Sequence, residues 1–455
     1  MPNIQGISDS LLCSACGACK AICGKNAIDF NFTNIGRLKA EINENCIDCG
    51  LCTKVCPSLN KTEIQQEAIN PLIGKVIHTY IGRATDQHIY KNAQSGGICT
   101  AITTYLLETN KVDVVVTCKM CKDLSPYPLA QLIRNKKDLI SCQRSCYTPV
   151  DLLSALKNIK PRERIAIVGL PCQIAGATLL QQKSTKYSNI LYKIGLICDR
   201  NHCKGYQDTI LSYLPKTREK KNLIYRKKDF CYKKNDFCYK KHQQAYYPYR
   251  TAPVVVELDN GRSYIFPNGF RFALKDFFTA PRCRVCLDKL NINADIVLGD
   301  PWGMSDVDWD HGDSLAISRT EKGVALLNEV SKANYIDIRE SDFQEVVKGQ
   351  SIQSRPQQVR KYIQALSKHK NLPHTNSYLF EMCSDIQISE TETQSAYKEI
   401  MSFQEMENYS YEKIIKKAQM IIAQSTGIWH PSLCLYRINA KMRNIIWTIR
   451  KRFII

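Results

Sequence analysis

Twenty-two cysteines stand in this chain of 455 residues, and the pattern of the first eight carries its own chemistry. Cys13, Cys16 and Cys19 are each separated by two residues, and Cys23 follows after three more. Cys46, Cys49, Cys52 and Cys56 repeat that spacing, with Pro57 behind. Three thiolates at this interval sit on one tight loop and cap three corners of a 4Fe–4S cube; the fourth reaches across to a second cube. The spacing assigns Cys13, Cys16, Cys19 and Cys56 to one 4Fe–4S cluster, and Cys46, Cys49, Cys52 and Cys23 to another. Each fourth cysteine is expected to open a short helix. The small residues between the ligands, Ser14, Ala15, Gly17, Ala18 and Gly50, leave backbone N–H groups free to point at sulfur, which tunes potential. Paired CxxC units also bind zinc, but a duplicated triple with a fourth cysteine exceeds zinc's need for four ligands. Gly24 stands where such a run usually has proline, a change that loosens the turn and removes no ligand.

The remaining thiols need elements to bring them together. Residues 57–73 are polar and unpatterned and read as a linker. Beyond Gly74 the texture alternates between strand and helix. Residues 75–83 read as a strand, Ser95-Gly96-Gly97 as a break, 98–108 as a helix and 112–117 as a buried strand. The pattern recurs: a strand at 164–168, the turn Gly169-Leu170-Pro171-Cys172-Gln173, a helix at 174–182 and a strand at 190–197 ending at Cys198. Such alternation favours a mostly parallel sheet with ligands at the carboxyl ends of its strands. Cys172 and Cys198 both follow strands, so both can face one crevice. Val254 to Phe266, with Asp259-Asn260-Gly261 in the middle, reads as a hairpin. Cys283 and Cys286 form a CxxC unit ahead of a strand at 294–300. Cys172, Cys198, Cys283 and Cys286 make four, with Cys203 a spare candidate. Cys99, Cys118, Cys383 and Cys434 read as small buried apolar residues. The segment 227–240 holds a seven-residue repeat crowded with lysine; it reads as a solvated loop whose Cys231 and Cys238 are not ligands.

Taken in order, Ser95-Gly96-Gly97, Gly169-x-Pro171-Cys172-Gln173, Gly195-Leu196-Ile197-Cys198, Cys283-x-x-Cys286 and Ala294-Asp295-Ile296 with Gly299-Asp300 resemble the beta subunits of the coenzyme F420 hydrogenase/dehydrogenase family. The resemblance spans roughly residues 75–330, behind a two-cluster bacterial ferredoxin module. It implies a flavin, normally FAD, beside one further 4Fe–4S cluster, and hydride exchange with coenzyme F420 or another organic substrate. Carried over by residue, it implies that Cys172, Cys198, Cys283 and Cys286 hold that cluster. It places Ser95, Gly96 and Gly97 near the flavin, with Gly169, Pro171 and Gln173 flanking the cysteine of the second turn. This chain departs from the family at Arg144-Ser145-Cys146-Tyr147, where the family often carries Gly-Ser-Lys-Tyr.

The composition, with 44% hydrophobic and 23% charged residues, is that of a globular protein, not of collagen, a coiled coil or a disordered chain. The N-terminus lacks the basic and apolar regions of a secretory signal, and no stretch approaches the roughly 18 apolar residues of a spanning helix. The chain is therefore expected to be cytoplasmic, where many cysteines mean metal ligation and not disulfides. The net charge of +20 offsets anionic cofactors in part and leaves a basic surface able to dock an acidic partner. No motif supports nucleic acid binding.

Electron counting gives the mechanism expected: hydride donors move two electrons, an iron–sulfur cube one, and flavin chemistry covers both. No acid–base dyad stands out, so the catalytic residues are left open. The alternative is a flavin-free electron-transfer adaptor docking on a separate catalytic protein. The fold expected is α+β and α/β. Its parts are a ferredoxin module (1–63), a linker (64–73), an α/β flavin and iron–sulfur domain (74–340), a helical C-terminal extension (341–428) and a basic amphipathic tail (429–455). In the tail Leu435, Ile438, Met442, Ile445, Ile446, Ile449 and Phe453 form one helical stripe beside Arg437, Lys441, Arg443, Arg450, Lys451 and Arg452. Packing on the body is the plainer role of such a stripe. A peripheral contact with the inner face of an anionic membrane, close to a small-molecule or lipid-linked redox substrate, is the sharper one.

Overall fold

The computed structural model describes residues 3–231, 233, 236–238, 246–368 and 385–433. The amphipathic stripe of the tail, Cys383 and Cys434 lie outside them.

Two short helices, α1 (Gln5–Asp9) and α2 (Ala18–Ile22), precede a hairpin of β1 (Ile28–Phe32) and β2 (Leu38–Ile42), and α3 (Leu51–Lys54) follows. The expected linker contains a helix, α4 (Glu63–Glu67). Thr62 and Gln65 close a capping box at its start, a signal present in the sequence but hidden by the polar composition around it.

Alternating valine and isoleucine then build the main sheet. Its first strand is β3 (His78–Ala84), followed by α5 (Gln87–Asn92), α6 (Ile98–Glu108), β4 (Val114–Met120), β5 (Pro128–Ile133) and α7 (Lys136–Ile140). Next come β6 (Ile165–Gly169), α8 (Pro171–Lys183), β7 (Ile190–Leu196) and α9 (Gly205–Leu211). A side sheet holds β8 (Lys221–Ile224), β10 (Phe237–Cys238), β12 (Val254–Leu258) and β13 (Ser263–Phe266), while β9 (Phe230–Cys231) pairs with β11 (Tyr246–Tyr247). The hairpin expected around Asp259-Asn260-Gly261 is the β12–β13 pair. Helices α10 (Asn268–Lys275) and α11 (Pro281–Arg284) lead into β14 (Ile296–Gly299), β15 (Ser314–Ser318), α12 (Glu321–Lys332) and β16 (Ile336–Glu340). The chain continues as α13 (Phe343–Gly349), α14 (Arg355–Lys368), α15 (Glu390–Met406) and α16 (Tyr411–Thr426).

The main sheet has eight strands in the order β16-β3-β15-β14-β7-β6-β4-β5. The β14–β7, β7–β6 and β6–β4 pairings are parallel; the other pairings are antiparallel. The expectation of a mostly parallel sheet is thereby corrected to a mixed one. The physical reason is the connections: β4 to β5 and β14 to β15 lack the crossover helix that a parallel return needs.

Successive residues of each central strand face opposite layers. Val114, Val116, Ile165 and Ile167 join a core with Leu152, Leu153, Ile174 and Ala177. Val115, Ala166 and Val168 join another with Ile98, Ile102, Leu326 and Leu327 of α6 and α12. The N-terminal unit packs on the first layer, where Cys16, Ala18 and Ala21 enter the same core. Residues of α14 and α15, including Val359, Ile363, Ala396 and Ile400, cover Ile4, Ile7 and Leu12 on its other side. A buried Arg37–Glu407 ion pair fastens that cover.

Candidate functional site

Gly17 and Gly50 hold positive φ angles and cap α2 and α3, so each loop turns sharply between its second and third cysteine. A Cβ on Gly17 would lie 2.6 Å from the Asp151 carbonyl oxygen, so only glycine fits where the loop meets the body. Cys19 and Cys52 lie inside the two helices, Cys23 caps the end of α2, and Cys56 follows α3. The fourth cysteine of each run thus closes a helix and does not open one, because the glycine cap starts the helix one turn earlier.

The charge environment of Cys19 is set by burial and by Cys16, Cys13, Cys56 and Cys52, and that of Cys56 includes Cys16 and Cys13. The structure therefore brings Cys13, Cys16, Cys19 and Cys56 close together, with Cys52 also near Cys19. Burial pushes Cys16 up to about 11 and Cys56 up to about 12. Thiols so placed resist ionisation unless a cation replaces the proton. Backbone N–H groups do reach sulfur: Ala15 donates to Cys13 and Ala27 to Cys23, each at 3.4 Å. Cys52 feels Cys49, while Cys46 and Cys23 are half-exposed.

The other four thiols come from three elements. Cys172 lies in the first turn of α8, Cys198 just beyond β7, Cys283 in α11 and Cys286 after it. Burial raises Cys172 and Cys198 strongly, and Cys283 and Cys286 act on both. Cys198 also feels Cys172. Cys203 is buried in the apolar cluster with Tyr206 and Phe278, its N–H bonded to the Phe278 carbonyl at 2.9 Å, although Cys283 is near enough to act on it. Among the described residues no three His, Cys, Asp or Glu side chains gather round one point as a single ion requires. A cube spreads its four thiolates wider than one ion does.

The two thiol groups adjoin. Cys16 is the leading thiol acting on Cys172, and a Cβ on Gly176 of α8 would sit 3.3 Å from the Cys16 sulfur. Buried Arg282 lies beside both groups, favouring the ionised forms of Cys56, Cys172 and Cys283. It donates to Ser58 Oγ at 2.9 Å, yet its Nη1 is buried without a hydrogen-bond partner. A buried guanidinium facing thiols fits an anionic iron–sulfur group there.

Farther along the same edge of the sheet stands the glycine turn. A Cβ on Gly96 would meet the Gly82 carbonyl at 2.4 Å, and Gly97 starts α6 with φ +84°. Lys228 donates to the carbonyls of Ser95 at 2.6 Å and His311 at 2.7 Å. It also lines a cleft of about 410 Å³ with Lys91, Ala93, Arg144, Lys227, Asp229, Tyr246 and His311. Burial lowers Lys228 to about 8 and also lowers Arg144. Arg144, at φ +82°, is anchored on the Asn92 carbonyl at 2.9 Å and its Oδ1 at 2.6 Å. Lys91, Arg144, Lys227 and Lys228 outnumber Asp229 in this lining even with Lys227 paired to Glu257, which makes the cleft suited to phosphate or another anion.

Lys228 corrects the solvated-loop reading of 227–240. It and Phe230 are buried, and Phe237–Cys238 joins the side sheet; Cys231 is exposed. The lysine-rich pattern concealed this, because nothing local distinguishes a lysine that lines a cleft from one in water. Two steps upstream, buried Arg226 pairs with Asp300 at the end of β14. Tyr249 donates to the same carboxylate at 2.9 Å. Arg226 lies 5.3 Å from the Tyr249 ring and 5.2 Å from the Trp302 ring.

The second turn is spent on architecture. Gln173 accepts the Leu170 N–H at 2.8 Å and donates to Val150 at 3.1 Å. Asn291 donates to the Gly169 carbonyl at 2.9 Å, and Pro171 is the first residue of α8. Together they aim Cys172.

The family model for the C-terminal part of the coenzyme F420 hydrogenase/dehydrogenase beta chain matches residues 162–343, and its N-terminal counterpart matches 79–157. The chain belongs to the coenzyme F420 hydrogenase/dehydrogenase family of beta subunits. A 4Fe–4S dicluster domain matches residues 12–60. This F420-related family is one of iron–sulfur oxidoreductases. The chain is 26% identical over 361 residues to coenzyme F420-dependent sulfite reductase of Methanocaldococcus jannaschii, covering 74% of this chain and 49% of that protein. It is 26% identical over 206 residues to the F component of the F(420)H(2) dehydrogenase of Methanosarcina mazei, covering 43% and 56%. The chain thus spans about half the length of these curated relatives. A chain of the F420-reducing [NiFe] hydrogenase complex from Methanosarcina barkeri aligns with a TM-score of 0.48 at 20% identity, covering 64% of this chain and 94% of that one. No helix among the described residues is long and apolar enough to cross a membrane.

Proposed function

We propose that this protein moves electrons between a hydride donor or acceptor bound at the basic cleft and a row of 4Fe–4S clusters ending in the N-terminal module. The observation that carries the reading is the junction of two thiol groups, Cys13, Cys16, Cys19 and Cys56 on one side and Cys172, Cys198, Cys283 and Cys286 on the other. Each would hold one cluster, with Cys23, Cys46, Cys49 and Cys52 holding a third. The cleft, walled by Lys91, Arg144 and Lys228, would hold the phosphates of FAD, the glycine turn standing beside it. A flavin supplies the exchange between hydride and single-electron chemistry. The chain's part is placement. Lys228 ties the Ser95 turn to the His311 segment, Asp300 and Arg226 hold the strand end between cleft and thiols, and Arg282 lies beside both thiol groups. The family points to a deazaflavin as the organic reactant, and the cluster row ends in a module suited to a redox partner protein.

Anaerobic purification followed by cofactor extraction tests this. The expected result is about twelve iron atoms per chain at four per cube, with one FAD, bleached on adding reduced F420. Clusters without flavin would replace the reading with an electron-transfer adaptor. Zinc without acid-labile sulfide would overturn it.

A further inference from the structure

Five thiols belong to none of the cluster groups and sit near the carboxyl end of β4. Cys118 lies in β4 opposite Ala130 of β5 and is half-buried. Cys146 is buried in the segment after α7, two residues beyond cleft-lining Arg144. Their sulfurs are 3.7 Å apart, within thiol hydrogen-bond reach. Cys99, Cys121 and Cys142 are near enough to act on the pair or be acted on by it. No three of these described thiols gather round one point as an ion would need, and the sulfur–sulfur contact is between Cys118 and Cys146. Paired-thiol chemistry is what the geometry offers.

We infer that Cys118 and Cys146 are a redox-active dithiol, whose disulfide forms and breaks reversibly and, when formed, ties the Arg144 segment to β4. At 3.7 Å the sulfurs stand about 1.7 Å beyond the length of a disulfide bond. Cys118 is the attacking thiol, being the less buried of the two. The hydrogen bond it shares with Cys146 also holds it below the ordinary thiol value, while that bond and burial push Cys146 up. The step balances with a small-molecule disulfide as oxidant. The Cys118 thiolate attacks one of its sulfurs and releases one small thiol; Cys146 then displaces the second and closes the bond. Two protein S–H bonds and one reagent S–S bond are lost. One protein S–S bond and two reagent S–H bonds are gained, so two electrons and two protons pass to the reagent. The consequence reaches the cleft because Arg144, Cys146 and Tyr147 share one short segment, with Arg144 and Tyr147 both at positive φ. A covalent tie at Cys146 fixes that segment's position.

The experiment equilibrates the intact, anaerobically purified chain in glutathione and glutathione disulfide at a series of ratios. Samples are quenched in acid, alkylated under denaturing conditions and mapped by peptide mass spectrometry. The expected result is a bridge between the Cys118 and Cys146 peptides that appears with rising disulfide and vanishes on adding dithiothreitol. Cys146→Ser should leave Cys118 carrying glutathione, and Cys118→Ser should leave Cys146 a free thiol. If both residues stay free thiols at ratios that glutathionylate exposed Cys231, the inference falls. It falls equally if Cys118 bridges to Cys142 or Cys121 in preference. Neither result depends on flavin or substrate, so it is read independently of the proposed function.

Discussion

The chain gathers thiols in two different ways. In the N-terminal module the eight thiols come from two short runs, and each run positions three of its own cysteines through a glycine-capped turn. In the α/β body the four thiols come from α8, the end of β7 and the α11 segment, and together span more than a hundred residues of chain. Local ligation needs only loop geometry. Tertiary ligation by the body's four thiols would need the whole sheet to be registered first, so on the proposed reading metal binding and folding would be coupled differently in the two regions.

That difference sets the largest expected effect. Cys172→Ala should remove about four of roughly twelve iron atoms and leave the module's spectra intact. It should also lower the unfolding midpoint of the body, since Cys172 sits in the first turn of α8 at the carboxyl end of a central strand. Iron and sulfide analysis with thermal unfolding reads both. A full iron count would reduce the body's thiols to packing residues, and the comparison would collapse.

Asp300→Ala separates the regions by stability. It strands Arg226, whose side chain is 6% exposed and whose Nη2 is already without a hydrogen-bond partner. Breaking a buried pair on one side costs about 3–5 kcal/mol. Urea unfolding should show the loss, while iron bound to the module should hardly change. Exposed Lys75–Glu321, by contrast, should yield less than about 1 kcal/mol when either partner is replaced.

The same contrast explains what the sequence made readable. Helix α6 and the β12–β13 hairpin were legible because a glycine turn and an Asn-Gly pair mark them locally. The 4Fe–4S dicluster module was legible from its local cysteine spacing in the same way. Arg282, Lys228 and Arg144 were not, because a buried cation looks like a solvated one until the neighbouring elements are in place. The antiparallel edge of the sheet was also missed, since a strand's direction depends on the length and content of its connection and not on its own residues.

Arg282 is where the two regions meet. Arg282→Leu removes a buried positive charge beside Cys56, Cys172 and Cys283. Reduction adds negative charge to a cluster, so losing the cation should shift its potential downward. A shift on the order of 60 mV corresponds to about tenfold in the one-electron equilibrium. Redox titration followed by electron paramagnetic resonance should show it in the clusters nearest Arg282. An equal shift in all clusters, or none, would dissolve the junction between the regions.

The remaining effect belongs to the cleft and is read in pH. Lys228 is lowered to about 8 from an ordinary 10.5 by burial, so the folded chain releases that proton earlier than the unfolded chain does. Between those values the unfolded state binds more protons, and stability from this group rises with pH, by at most roughly 3 kcal/mol. Anion binding runs the other way: the charge that attracts a phosphate fades as pH climbs above about 8. The neutral amine still donates to Ser95 and His311, so the turn keeps its shape through the titration. Lys228→Met should abolish both trends, leaving FAD affinity weaker and nearly flat with pH, and the alkaline gain in stability absent. Fluorescence titration with FAD and urea unfolding at pH 7 and pH 9.5 measure the two. If affinity fell with pH equally in the variant, the charge governing the cleft would belong to another side chain, and the contrast between a self-assembling module and a cleft built by distant residues would have to be drawn without Lys228.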